Sequence, residues 1–191
     1  DGGSATPYKP GEYVDLAVIP GTTLETDVVC VVWFDATNNN LMYSYKKSPN
    51  TDNDASELTG NYTDGYWSNA TILKKNCGEY CKIATDANGG VHIAAYDRAN
   101  KGVGYVPSYN STYSEATNYF LIDAVNGPYD ELGIDVAVDG TGNTGKSYPT
   151  ISYYANGTPK MATYSTGITK TTGMPEAAWE SDSFTGKWDV C

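Results

Sequence analysis

Four cysteines, a single histidine and two repeat-placed aspartates are the residues with which this chain could do chemistry. Cys77-Gly-Glu-Tyr-Cys81 is a compact spacing, and Gly78 would permit the tight turn that so small a disulfide ring requires. Pairing Cys77 with Cys81 leaves Cys30 for Cys191, which would tie the last residue to an early strand. Four cysteines admit three pairings, and the sequence does not choose among them. A zinc site wants two close pairs, and Cys30 and Cys191 stand alone, so disulfides are expected and no metal.

His92 is the only histidine and lies inside a predicted strand, where a hydrogen-bonded structural role is expected. No G-x-S-x-G nucleophile elbow accompanies it. A glycosidase needs only two carboxylates across a fold, and Asp35 and Asp97 are equivalent by repeat. Both begin hairpin turns, where capping of the turn accounts for an aspartate. The loops Asp86-Ala-Asn-Gly-Gly90 and Asp139-Gly-Thr-Gly-Asn143 carry the oxygen ligands calcium takes. Neither matches a twelve-residue EF-hand loop, and D-x-N-G between strands is a turn signal. Phosphate-binding loops and dinucleotide fingerprints are absent. No catalytic residue and no cofactor is therefore assigned. Tyr62, Tyr66 and Trp67 form an aromatic group suited to stacking on a sugar. Asn61, Asn69, Asn110 and Asn156 each open an Asn-x-Ser/Thr sequon, the glycosylation signal of exposed loops in secreted proteins. Asn156 falls in a predicted hairpin turn.

These residues ride on an internal repeat. Val31-Val-Trp-Phe-Asp35, His92-Ile-Ala-Ala-Tyr-Asp97 and Thr150-Ile-Ser-Tyr-Tyr154 resemble one another, and each is followed by a polar turn and a tyrosine-bearing strand: Leu41–Tyr45, Val103–Val106 and Lys160–Tyr164. Phe34 to Tyr96 is 62 residues and Tyr96 to Tyr154 is 58. Alternating strands precede the three markers and align Ala17, Ala84 and Ala137. A fourth strand follows each pair, at Trp67–Lys75, at Tyr119–Val125 and within 178–191. Alternation, β-branched and tyrosine enrichment, and Asn/Gly turns favour strand over helix throughout. Glu176–Glu180 is the one helical turn expected. The chain thus reads as an all-β domain over 14–191, preceded by a polar tail at 1–13. Its three four-stranded antiparallel meanders, of about 60 residues each, cover roughly 14–75, 82–125 and 134–191.

Asp86-Ala-Asn-Gly-Gly-Val-His-Ile-Ala-Ala-Tyr-Asp97, with Gly102-Val-Gly-Tyr105 behind it, resembles a repeat of exported bacterial β-propellers. There a D-x-x-G turn leads into an H-I-A-Y-type strand and a short tyrosine strand. The resemblance implies a propeller-like arrangement of blades, with small alanines on crowded inner strands and aromatics filling the wider outer ones. His92 has no counterpart in the first and third repeats, and the sialidase box S-x-D-x-G-x-T-W is not found. A β-sandwich is the alternative architecture. The superfold hosts glycosidases, lectins and scaffolds, so it implies no single activity.

Composition narrows the partners. The chain has 191 residues with 12 Lys+Arg against 23 Asp+Glu, a formal charge of −11. Nucleic acid is a poor partner for such a surface, and no apolar run reaches the roughly 20 residues that cross a bilayer. A start at Asp1 rather than Met looks processed. Cysteines, sequons and charge together point to a secreted, extracellular or cell-surface protein. Three blades fall short of the about 4–8 that close a propeller, so the expected partner is a second copy of the chain, in a ring or a filament. The expectation is a non-enzymatic structural protein that self-assembles into a fibre or surface layer, with glycan binding as the alternative and glycosidase chemistry behind it. The first and third repeats are the expected contact, with Val18 and Val136 near the junction.

Overall fold

The structure is a computed structural model that describes residues 12–20, 27–47, 67–86, 89–108, 119–125, 132–139, 146–155, 157–164, 168–169 and 179–183. It is all-β. Strands β1 (Glu12–Ile19), β2 (Val28–Asp35), β3 (Asn40–Lys47) and β4 (Thr71–Lys75) form the first sheet, in sequence order. The second sheet repeats that order with β5 (Cys77–Thr85), β6 (Val91–Asp97), β7 (Gly102–Ser108) and β8 (Phe120–Ala124). The third holds β9 (Asp135–Asp139), β10 (Lys146–Ala155), β11 (Thr158–Tyr164) and β13 (Trp179–Ser183), with the two-residue β12 (Ile168–Thr169) beside β10. Every pairing is antiparallel.

The hairpins follow from their turn residues. Asp35 pairs with Asn40 and Asp97 with Gly102, so both turns have four residues, ending at Asn39 (φ 56°) and Lys101 (φ 51°). The third-sheet hairpin pairs Ala155 with Thr158, with Gly157 between them at φ 78°. Asn-Gly is the pair that a two-residue hairpin favours, because both positions need positive φ. The sheet-to-sheet connections also repeat. The Cys77 amide donates to the Asn39 carbonyl at 3.2 Å, and the Val125 amide to the Lys101 carbonyl at 2.7 Å. In each case the chain leaving a fourth strand is fastened to the left-handed residue of its own sheet's hairpin.

Two cores result, with the second sheet shared between them. Cys30, Val32, Leu41, Tyr43 and Leu73 of the first sheet pack on Cys77, Cys81, Ile83, Val91, Ile93, Ala95 and Val106 of the second. Ala94, Tyr96, Val103 and Tyr105 on the other face of the second sheet pack on Ile134, Val136, Ile151, Tyr153, Ala155 and Ala162 of the third. All seven residues of β6 are buried, which explains its near-continuous apolar run, the mark of a strand covered on both faces. The molecule therefore has three layers rather than the two of a sandwich. The sheets are open: the first two have two edge strands each, and in the third β9 and β12 both lie beside β10 and β13 ends the other side.

Several expectations change. Residues 77–81 are part of strand β5, not a disulfide-closed turn. Its register slips twice, between Cys77 and Glu79 and between Glu79 and Lys82. Gly78, at φ 127°, is required by crowding: a Cβ there would lie 2.9 Å from both the Leu41 Cα and the Phe34 ring. Trp179 and Glu180 belong to β13 rather than to a helical turn. Glu12 and Tyr13 are already strand rather than tail. The shorter third hairpin places Met161 opposite Ser152, where Tyr43 and Tyr105 stand opposite Val32 and Ala94. Met161, and not Tyr164, is thus the structural equivalent of the two tyrosines.

Candidate functional site

His92 is fully buried and held at both nitrogens. Nδ1 lies 2.5 Å from the Tyr105 hydroxyl and Nε2 lies 3.1 Å from Asp86 Oδ2. An ionised carboxylate only accepts. With a neutral ring, Nε2–H therefore donates to Asp86 and Nδ1 accepts from Tyr105. The other Asp86 oxygen accepts from the Gly90 amide at 2.8 Å, and the Asp86 amide donates to the Gly90 carbonyl at 2.9 Å. The D-x-x-x-G turn and the histidine strand thus form one pinned unit, and the Asp86 carboxylate is engaged by the turn it shapes.

Asp35 and Asp97 cap their hairpins in parallel fashion. Asp35 accepts from the Thr37 amide at 2.9 Å and from the Asn38 side chain at 2.8 Å. Burial raises its pKa, but the Asn38 side chain and the Asn38 and Thr37 amides outweigh that and hold it below the ordinary carboxylate value. Asp97, with no exposed surface, accepts from the Asn100 amide at 2.9 Å and side chain at 2.7 Å, and from the Tyr119 hydroxyl. Burial first, and then the bond to Asp97, push the Tyr119 hydroxyl up in pKa.

Cys30, Cys77 and Cys81 are free, buried thiols; the expected Cys77–Cys81 bridge is replaced by two positions along one strand. Cys191 lies outside the described residues. Burial raises all three thiol pKa values, Cys81 to about 12 with help from Asp15. Asn69 is exposed just before β4. Asn61, Asn110 and Asn156 lie outside the described residues, as do Tyr62 and Tyr66. Trp67 is 49% exposed and bridges to Lys46 at the edge of β3.

One cleft gathers equivalent positions of all three repeats. Aligned on Ala17, Ala84 and Ala137, the residues four places earlier are Tyr13, Tyr80 and Gly133. All three have left-handed backbone, at φ 55°, 57° and 46°. Tyr13 and Tyr80 sit where the β1–β2 and β5–β6 registers slip, and such bulges re-aim side chains. Their rings meet at 4.6 Å between centroids, inclined at 40°. With Val14, Cys81, Lys82 and Ile134 they line a half-open cleft of about 150 Å³. The Cys81 thiol donates to the Tyr13 carbonyl at 2.6 Å, and the Ile83 amide to Asp15 Oδ2 at 3.0 Å. Nothing in the sequence alternation announced the bulges; the repeat alignment alone could have brought these positions together.

The second candidate feature is a face. Leu16–Val31, Ile83–Ile93 and Val136–Ile151 are the same cross-strand pair in the three repeats. In the second and third repeats the pair is buried against the preceding sheet. In the first, Leu16 is 61% exposed and Val31 half-buried. Val18, Val29, Trp33, Met42 and Ile72 extend this face, and none is fully buried. Val136, expected near an assembly junction, is instead inside the core between the second and third sheets. The outward face of the third sheet carries Asp135, Ala137, Thr150, Ser152, Tyr154, Pro159, Met161 and Thr163, a much more polar set. Comparison of the sequence with protein-family models and with curated proteins finds no match.

Proposed function

We propose that the chain is a non-enzymatic, secreted structural protein whose propeller-like blades self-assemble through the open face of the first sheet, with a second copy of the same chain as the partner. The observation that carries this reading is the Leu16–Val31 pair, which keeps the apolar character of its two buried equivalents while lying open. Large exposed apolar patches mark interaction sites. Terminal repeats that end in solvent need a polar outer face; the third sheet has one, and the first does not.

This contrast selects the mode of association. A contact from first to third sheet would set Leu16, Val18 and Val31 against Asp135, Ser152 and Thr150, leaving polar groups desolvated without partners. First sheet against first sheet buries apolar on apolar and closes as a two-fold dimer, which is the commonest symmetry. Six sheets then stand in one row with polar faces at both ends. Lys46, half-buried opposite Val29, places a cation on this face of an otherwise acidic chain. Repulsion from the net charge of −11 is screened beyond about 8–10 Å at physiological salt. The non-enzymatic reading is supported by His92 and Asp97, both buried and satisfied internally, and by Asp35, which is engaged by its own turn. Secretion is supported by the exposed Asn69 sequon and the resemblance of the second repeat to exported propellers. Light scattering coupled to gel filtration tests the proposal: a mass near twice 20.5 kDa is expected at micromolar concentration, and a mass of one chain at every concentration overturns it.

A further inference from the structure

We propose that the cleft between Tyr13, Tyr80 and Gly133 is a binding site for a single saccharide ring. The site is separate from the open face of the first sheet and does not depend on self-association. Three arguments converge. Tyrosine is a poor residue for left-handed backbone, and such conformations persist where the surrounding structure imposes them, often at ligand sites. Here two tyrosines adopt it at equivalent positions, and both rings are brought to one cleft. A pair that served packing alone would be enclosed, yet Tyr13 remains 39% exposed and Tyr80 is only half-buried.

The lining matches a pyranose in kind and size. A sugar ring has an apolar face of C–H groups and a rim of hydroxyls. Tyr13 offers an accessible aromatic surface, with Val14 and Ile134 beside it. The Lys82 ammonium supplies a hydrogen-bonding group in the lining, and among the described residues no ion pair occupies Lys82. The cleft volume of about 150 Å³ corresponds to roughly five waters at ~30 Å³ each, which suits one ring, such as the end of a glycan, and excludes a longer segment. The floor is fixed beforehand by the bonds from Cys81 to Tyr13 and from Ile83 to Asp15.

Amide and aromatic NMR shifts of the full chain, titrated with glucose, galactose, mannose, N-acetylglucosamine and glucuronate, test the site. At least one sugar should give saturable shifts at Tyr13, Tyr80, Lys82 and Gly133. Tyr13→Ala should weaken that binding by roughly tenfold or more, which is the scale of one lost anchoring contact. Lys82→Ala should reduce glucuronate binding more than binding of a neutral sugar, if both bind. Trp67→Ala should leave it unchanged. Should Tyr13→Ala fail to fold, Tyr13→Phe, which keeps the ring, and Lys82→Ala carry the test. No saturable shift from any of the five at concentrations well above about 1 mM, or binding abolished by Trp67→Ala and retained by Tyr13→Ala, overturns the proposal.

Discussion

The first and third sheets each turn one face outward, and the two faces are finished differently. On the first, Leu16, Val18, Val29, Val31, Trp33 and Met42 continue the apolar pattern that in the later repeats is buried against a preceding sheet. On the third, Thr150, Ser152 and Asp135 occupy positions whose equivalents are His92, Ala94 and Lys82 in the second repeat and Cys30, Val32 and Asp15 in the first. Of these, Ser152 replaces apolar residues of both earlier repeats, and it falls at the end of the row, where no further sheet follows among the described residues. A repeat array is stable when neighbours cover one another and its ends are polar. By that rule the polar face of the third sheet suits solvent, and the apolar face of the first sheet is the one proposed to be covered.

The sharpest contrast to either flank is the middle sheet, and perturbing it should have the largest effect. Ile93→Ala and His92→Ala each empty a fully buried position. The first should cost about 2–5 kcal/mol, as large-to-small core changes do. The second also removes the ring's hydrogen bonds to Asp86 and Tyr105, each worth about 0.5–1.5 kcal/mol and more where the partner is charged. Urea unfolding followed by circular dichroism checks both.

A smaller effect is expected at the hairpins. Asp97→Ala removes a fully buried acceptor from the half-buried Tyr119 hydroxyl and from the Asn100 amide and side chain and should cost about 1–3 kcal/mol; Asp35→Ala, at a turn without such a tyrosine partner, should cost less. Asp35 also sets a pH dependence. Its folded pKa lies below the ordinary value, so its contribution is complete above the unfolded pKa of about 3.9 and is lost as pH falls through the folded one. The stability gap between the unaltered chain and Asp35→Asn should therefore shrink in acid. At the alkaline end the sign reverses for the cysteines. Cys81 is raised to about 12, so the unfolded chain releases a proton first and stability falls as pH rises above about 8.5. Thiol alkylation at neutral pH should be slow at Cys30, Cys77 and Cys81 in the native protein and complete in urea. Mass spectrometry of the alkylated chain reads all three; protection that persists in urea without reductant would indicate disulfides.

The smallest effects on the folding of one chain belong to the outer faces themselves. Leu16→Asp and Ser152→Asp are surface changes and should each alter single-chain stability by no more than about 0.5 kcal/mol. Their value lies in association, where they should differ completely.

Much of the layering was legible because its signals are local. Asp-x-x-Asn and Asn-Gly fix the hairpins, alternation fixes which residues share a face, and the three alanines fix the repeat register. The account failed where position depends on neighbours. Gly78 resembled a turn glycine because the sequence does not show Leu41 and Phe34 pressing on it, and the disulfide reading of Cys77 and Cys81 rested on their spacing, which a bulged strand also accommodates. The bulges at Tyr13 and Tyr80 break the two-residue period and carry no composition signal of their own. Ala137, grouped with Ala17 and Ala84 on a crowded inner strand, is exposed, because its face is the one that no later sheet covers among the described residues. The same limit hid the candidate cleft: its residues are ordinary strand residues until three repeats place them together.

The central claim is that the two outward faces differ in purpose, and sedimentation velocity on three chains at equal micromolar concentration in physiological salt tests it directly. The unaltered protein and Ser152→Asp should sediment as dimers, and Leu16→Asp as a monomer with an unchanged circular dichroism spectrum. An unaltered chain that sediments as a monomer, or a dimer broken by Ser152→Asp and untouched by Leu16→Asp, would contradict the account.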